Sequence, residues 1–249
     1  MRSLFFLPIL LFLCNMTEAQ NFRDKQKRYS RVREAYAQKW ESTKALLQSK
    51  GLDPADFSLY IRAFKEEKEL EIWGQSPGQT TYTLIKTYAF CSSSGSLGPK
   101  RQQGDGQIPE GFYHVDRYNP ASNFHLSLGI NYPNASDRKR STASDPGGDI
   151  FIHGDCVTVG CIPITDDLIK EVYLMAVEAR SGGNEHIPVS FFPARMAGAS
   201  WAALKNKYSK SPALLRFWEE LKPGYDWFEE KKTLPSVTFT SSGGYQVTK

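Results

Sequence analysis

Cysteine and histidine are scarce in this chain of 249 residues, with four of each, and long apolar runs are scarcer. Past the first twenty residues no segment is apolar enough to cross a bilayer, which takes about 20 consecutive apolar residues as a helix. Charge of one sign is not concentrated anywhere. The 31 basic and 27 acidic residues leave a net +4, and the clustered basic face that nucleic-acid binding needs is missing. No internal repeat is present. These shortages exclude a repeat array, a nucleic-acid partner and a membrane span beyond the leader. What remains is a chain long enough for one large domain, or one domain with appendages.

The one long apolar run opens the chain. Arg2 precedes a nearly unbroken apolar stretch over residues 4–13, and Thr17-Glu18-Ala19 before Gln20 resembles a small-residue cleavage site. Residues 1–19 therefore read as an export signal, giving an exported, periplasmic or cell-envelope protein. The rival reading is a lipoprotein signal acylated at Cys14, but Leu13 directly before it is a poor small-residue match. Cleavage leaves three cysteines, Cys91, Cys156 and Cys161. An odd number in an oxidising compartment leaves at least one thiol unpaired, and exported proteins rarely keep an idle one.

Periodicity organises the rest. Tyr29, Val32, Tyr36, Trp40, Thr43 and Leu47 recur at steps of three and four, one face of an amphipathic helix that Gly51 ends. Leu59, Ile61 and Ala63 then alternate, residues 65–68 form a charged turn, and Leu70 and Ile72 resume the alternation, which predicts a β-hairpin. A third strand is predicted over residues 81–90, with Tyr82, Leu84, Tyr88 and Phe90 on one face. Residues 91–111 lose periodicity and form a long loop, which in a compact domain is usually functional or disordered. Residues 112–118 make a short strand, residues 124–132 a half-buried one, and residues 134–148 a polar loop. Residues 150–152 are a short buried strand that delivers His153. Thr165 is the N-cap of a helix through Arg180, stopped by Gly182-Gly183. A strand over residues 189–192, a helix over residues 211–221 closed by Pro223-Gly224, and a partly mobile tail complete the chain.

The segment that carries chemistry is His153-Gly154-Asp155-Cys156-Val157-Thr158-Val159-Gly160-Cys161. It places an imidazole, two thiols and two glycines within nine positions. A thiolate nucleophile needs a base nearby and an open approach. The seven residues between His153 and Cys161 are enough to bring imidazole and thiol together at ~3–4 Å, a pairing that favours thiolate and imidazolium and lowers the Cys pKa. The backbone N–H groups of Gly160 and Cys161 could converge on an oxyanion, and Gly160 has no side chain to block a substrate. Two other readings remain open. His153 with the two thiols could ligate zinc, although their spacing is not the usual knuckle and His114, His125 and His186 would have to converge. A structural Cys156–Cys161 disulfide would leave Cys91 as the odd thiol, on a loop without an adjacent base.

His153-Gly154 followed by Thr158-Val159-Gly160-Cys161 resembles the signature of L,D-transpeptidase catalytic domains of the YkuD type, and the compact form resembles the YafK-like branch. Residues 94–100, 104–113, 126–134 and 222–226 resemble blocks of that branch, so the resemblance covers roughly residues 58–230. It implies a β-rich α+β fold, an L,D-transpeptidase-type β-sandwich. An N-terminal helix occupies residues 20–54, a catalytic domain with a C-terminal helical extension residues 55–235, and a tail residues 236–249. It implies a thiol acyltransferase with no cofactor and no metal, acting on peptidoglycan stem peptides. Cys161 would be the nucleophile and His153 the base, with Gly160, Thr158 and Gly154 at the oxyanion or substrate and Asp155 orienting the imidazole or capping the turn. The acceptor would be a second stem peptide or a protein lysine. Water in that role gives a hydrolase, and a degenerate relative would be a non-catalytic wall-binding module. A Cys91–Cys156 pairing is the hypothesis that leaves Cys161 as the odd thiol. Many family members have His where Val159 stands and Arg or Asn where Pro163 stands, so the contacts made there are not carried over.

Overall fold

The computed structural model describes residues 22–248; the predicted export signal and Cys14 lie outside the described residues. After a short helical stretch over residues 22–27, helix α1 (Ser30–Ser49) leads into strands β1 (Ser58–Phe64), β2 (Glu69–Gln75) and β3 (Thr83–Ala89). Then come β4 (Gly111–Asn119), β5 (Ser127–Ile130), helix α2 (Ala135–Arg140), β6 (Phe151–His153) and β7 (Ile162–Pro163). Helix α3 (Asp166–Ser181), β8 (Pro188–Phe192), α4 (Gly198–Lys207), α5 (Pro212–Lys231) and the hairpin β9 (Ser236–Phe239) and β10 (Tyr245–Thr248) close the chain.

The expected α+β architecture takes the form of one curled eight-stranded sheet in the order β3-β2-β1-β8-β4-β5-β6-β7. The curl is made at β4, whose first half pairs antiparallel with β8 and whose second half, past an irregularity between Val115 and Arg117, pairs with β5. Bulges of this kind bend a strand and raise its twist. Helix α3 lies against the sheet with α1 on its outer side. Eleven of the 16 residues of α3 are therefore buried, including Val172, Leu174, Met175 and Val177. The alternation predicted for β1 is likewise absent, because six of its seven residues are buried on a strand covered from both faces.

The turn predicted over residues 65–68 is present; its Lys65 is buried, donates to the carbonyls of Gly98 and Ile108, and pairs with buried Glu110 at 2.9 Å, which ties the hairpin to the long loop over residues 91–111. Three expectations are corrected. The polar stretch after residue 134 contains helix α2, opened by a capping box between Asn134 and Asp137. The helix predicted to stop at Pro223-Gly224 runs through both residues to Lys231. The tail forms the β9–β10 hairpin, anchored by buried Tyr245.

Candidate active site

Strands β6 and β7 run parallel, with Ile152 opposite Ile162 and His153 opposite Pro163. Parallel neighbours usually need a crossover of a dozen or more residues; here residues 154–161 suffice. Three local features make the short return workable. Asp155 and Gly160 adopt left-handed backbone angles, φ 62° and 90°. Cys156 is tied to Cys91 at the start of the long loop by a disulfide with a Cα–Cα distance of 5.4 Å. Thr158 clamps the far end, its hydroxyl donating to the Cys161 carbonyl at 2.8 Å and accepting from the Cys161 N–H at 3.0 Å.

The register sets where the sulfur sits. With Ile152 opposite Ile162, Cys161 falls opposite Phe151, two positions before His153. Residues two apart on a strand point to the same face, so thiol and imidazole emerge on one side. Cys161 is the free cysteine among the described residues and is partly exposed. Its sulfur accepts from the Phe151 N–H, and its S–H faces the Asp149 carbonyl at 3.5 Å. These, rather than the imidazole, are its hydrogen-bond partners. Burial pushes the thiol above its ordinary value, opposed by the Phe151 N–H; the Asp149 carboxylate adds to the rise and Lys100 opposes it.

His153 is 1% exposed. Its Nδ1 lies against the Gly154 carbonyl, which can only accept, so Nδ1 carries the proton and the neutral ring keeps Nε2 as its basic nitrogen. Burial holds His153 below its ordinary value, against the opposing effects of the Gly154 carbonyl and Asp155. Burial thus favours the neutral thiol and the neutral imidazole over the expected thiolate–imidazolium pair. Burial penalises both charged forms, and the ring is turned by Gly154 rather than by sulfur. Hydrogen bonds between catalytic groups are often long in unliganded sites and tighten on substrate binding.

The ring is also held from above. Phe124 packs against it with centroids 4.8 Å apart and the rings tilted by 34°, and Phe124 itself is 40% exposed. The turn bearing Phe124 is fixed by Arg31 of helix α1, which donates to the carbonyls of Ser122 and His125. The leading helix therefore reaches the site through one guanidinium. Arg31, Ser122 and Phe124 were not singled out from sequence, because the residues that meet here are more than 90 positions apart.

The remaining predicted site residues fall into place unevenly. The Gly160 N–H donates to Ser94 Oγ at 2.7 Å, and that hydroxyl donates onward to the Gly106 carbonyl at 2.9 Å. With the Cys161 N–H on Thr158, both expected oxyanion donors are engaged within the protein. Gly160 is glycine for packing as well as for its φ: a Cβ there would lie 2.9 Å from the Gln107 carbonyl. Gly154 is enclosed too, since a Cβ would meet Asp166 Oδ1 at 2.6 Å and the Phe124 carbonyl at 2.9 Å. The Asp155 carboxylate accepts from the Cys156 N–H at 2.6 Å and so caps the turn, while the Gly154 carbonyl orients the imidazole. Cys156 is committed to the disulfide, which removes one of the three ligands zinc would have drawn from this segment. Among the described residues no group of three or more His, Cys, Asp or Glu could hold a metal ion. Ser94 sat inside a block of resemblance without being given a role; its signal was its place on an aperiodic, Gly-rich loop.

Comparison with known proteins identifies the family. The family profile of the L,D-transpeptidase catalytic domain, YkuD, matches residues 60–183. YafK of Escherichia coli K12, named as a candidate L,D-transpeptidase, is 39% identical over 193 residues, covering 77% of this chain and 74% of its own. Among solved structures, the helical cell shape determining protein Pgp2 of Campylobacter jejuni is 18% identical, with a TM-score of 0.45 and 80% of each chain covered. L,D-transpeptidase 1 of Mycobacterium tuberculosis is 14% identical, with a TM-score of 0.31, covering 54% of this chain and 62% of its own. Among the described residues no helix is long and apolar enough to cross a membrane. By its profile match and its extended identity to YafK, the chain belongs to the L,D-transpeptidase catalytic-domain family of peptidoglycan-modifying enzymes.

Proposed function

We propose that the protein is a cysteine-dependent L,D-transpeptidase that works on peptidoglycan stem peptides through a thioester acyl-enzyme. What carries this reading is Cys161, the one cysteine outside a disulfide among the described residues, which the strand register puts on the side of His153, whose Nδ1 is taken by the Gly154 carbonyl. In the first half-reaction His153 Nε2 takes the thiol proton as sulfur attacks the carbonyl of the third stem residue, probed first as diaminopimelate. The C–N bond breaks, the proton passes from the imidazolium to the departing D-alanine amine, and a thioester remains. An amine from a second stem peptide or a protein lysine then attacks the thioester, His153 takes its proton, and the returning thiolate recovers it.

A neutral pair suits this sequence, because the imidazole must be unprotonated to act as base and the thiol is discharged only as attack proceeds. For the Gly160 N–H to meet the oxyanion, Ser94 must release it. Export is supported by the Cys91–Cys156 bridge, since such bonds persist in oxidising compartments. Incubation of the mature protein with muropeptides, with products read by mass, tests the reading: cross-linked dimers and free D-alanine are expected. Products shortened by one residue without dimers would make water the acceptor. Turnover that survives Cys161→Ala would remove the proposed nucleophile.

A further inference from the structure

A cavity of about 630 Å³ among the described residues lies away from Cys161 and His153. Its floor is the face of β4 that carries Phe112, His114 and Asp116, and its far wall is the C-terminal hairpin with Phe239. The volume is within the range of about 300–1,000 Å³ usual for ligand sites. Folding leaves polar groups here without partners. The Asn131 side chain accepts from the His114 N–H through Oδ1 at 2.7 Å. Its NH₂ group has no acceptor among the described residues, and neither has the Arg138 guanidinium. Asp116 supplies an acceptor, one oxygen of which is taken by Arg117 at 3.1 Å.

We propose that this cavity seats the glycan of the substrate, specifically an N-acetylated amino sugar. Asp116 is already paired with Arg117, and burial holds His114 toward its neutral form, so among the described residues Arg138 is the one cation facing groups that are otherwise polar or apolar, which suits a polar ligand rich in acceptor oxygens. Aromatic rings such as Phe112 and Phe239 present apolar faces that match the C–H face of a pyranose. The NH₂ of Asn131 and the guanidinium of Arg138 are donors for an acetamido carbonyl and ring hydroxyls, and Asp116 accepts from hydroxyls. The identity of the sugar rests on the peptidoglycan reading above; the match of ring faces and donors does not. A shared wall links the two sites. Tyr132 lines the cavity, and its hydroxyl proton is shared between the carbonyls of Pro146 at 3.0 Å and Lys100 at 3.3 Å; the Lys100 side chain in turn acts on the Cys161 thiol. A strand held in the cavity would thus present its stem peptide to the loops beside the sulfur.

Chemical-shift titration of the mature protein with chitotriose, cellotriose and a free stem tetrapeptide tests the assignment. Chitotriose should saturably shift the amides of Phe112, Asn131 and Phe239, with cellotriose, which lacks the acetamido group, at least about fivefold weaker for the loss of one hydrogen bond. Arg138→Ala, at an exposed side chain with no partner to lose, and Asn131→Asp, which keeps the acceptor for the His114 N–H, should each raise the chitotriose Kd about fivefold. Neither should alter turnover of the free tetrapeptide. Absence of shifts at these positions, equal binding of cellotriose, or shifts confined to residues 153–161 would overturn the proposal. Cys161→Ala should leave the chitotriose Kd unchanged. If chitotriose binds as described while no muropeptide is turned over, the catalytic reading fails and the sugar site stands.

Discussion

Thr158 is the side chain whose loss should disorder the proposed nucleophile, Cys161, without replacing it. Its hydroxyl makes two hydrogen bonds, at 2.8 and 3.0 Å, both to the backbone of Cys161. Thr158→Val keeps the shape and removes both bonds. A hydrogen bond is worth about 1 kcal/mol net, so the pair stabilises the loop by about 2 kcal/mol. The residue is half-buried, so water recovers part of the loss. If the loop must be ordered for attack, kcat/KM should fall by about 30-fold, one decade for each 1.36 kcal/mol. The melting temperature should drop by about 4–8 °C, at 2–4 °C per kcal/mol for a domain of this size. Thr158→Ser retains the hydroxyl and should stay near the parent in both measurements. Rates of stem-peptide acylation by quenched-flow mass spectrometry, with calorimetry alongside, read the two effects. A Thr158→Val enzyme faster than its parent would refute the reasoning, because it would mean that the threonine withholds a Cys161 N–H that the oxyanion needs.

The other expectations rest on separate parts of the site. Because burial raises the Cys161 thiol above its ordinary 9.0 and lowers His153 below 6.5, iodoacetamide alkylation of Cys161 should climb with pH toward a midpoint above 9. The acid limb of kcat/KM should likewise lie below 6.5, and an alkylation midpoint near neutrality would restore the ion pair. Replacing both Cys91 and Cys156 by Ala opens a bridge spanning 65 residues, worth about 4 kcal/mol by the chain-entropy account; a denaturant midpoint unchanged by the double replacement would show that the loop is held by its other contacts alone. Ser94→Ala leaves the Gly160 N–H unengaged and should raise kcat/KM up to about fivefold, the value of one net hydrogen bond, whereas a fall would give Ser94 a positioning role. Arg31→Ala frees the turn carrying Phe124 and should lower kcat with little change in KM, read by steady-state kinetics; unchanged kcat would detach helix α1 from the site.

Which features were legible in the sequence follows from how local their causes are. The His153 strand and helix α3 rest on period and end signals within a few residues and stand where those signals put them; the hairpin β1–β2 stands at its turn, although burial on both faces erases its alternation. The stretch over residues 124–132 alternates as a strand should, yet only Ser127–Ile130 pairs. His125 is left-handed at φ 68° and breaks the run, which frees Phe124 to pack against the imidazole. Pro223 failed as a stop signal for an energetic reason. A proline inside a helix costs about 3 kcal/mol, while continuing α5 past it buries Tyr225 and Phe228, each worth about 1.5–3 kcal/mol. Gly224 is required there for the close approach of Phe112, whose ring a Cβ would meet at 2.5 Å. The protonation state of the site was the least legible feature, because it depends on burial and burial belongs to the whole fold. Spacing alone brings a thiol and an imidazole to one face and suggests an ion pair. The finished structure buries the imidazole and leaves the sulfur half-buried, and it gives the thiol proton a carbonyl at Asp149 and the Nδ1 proton a carbonyl at Gly154, which favours the neutral form of each.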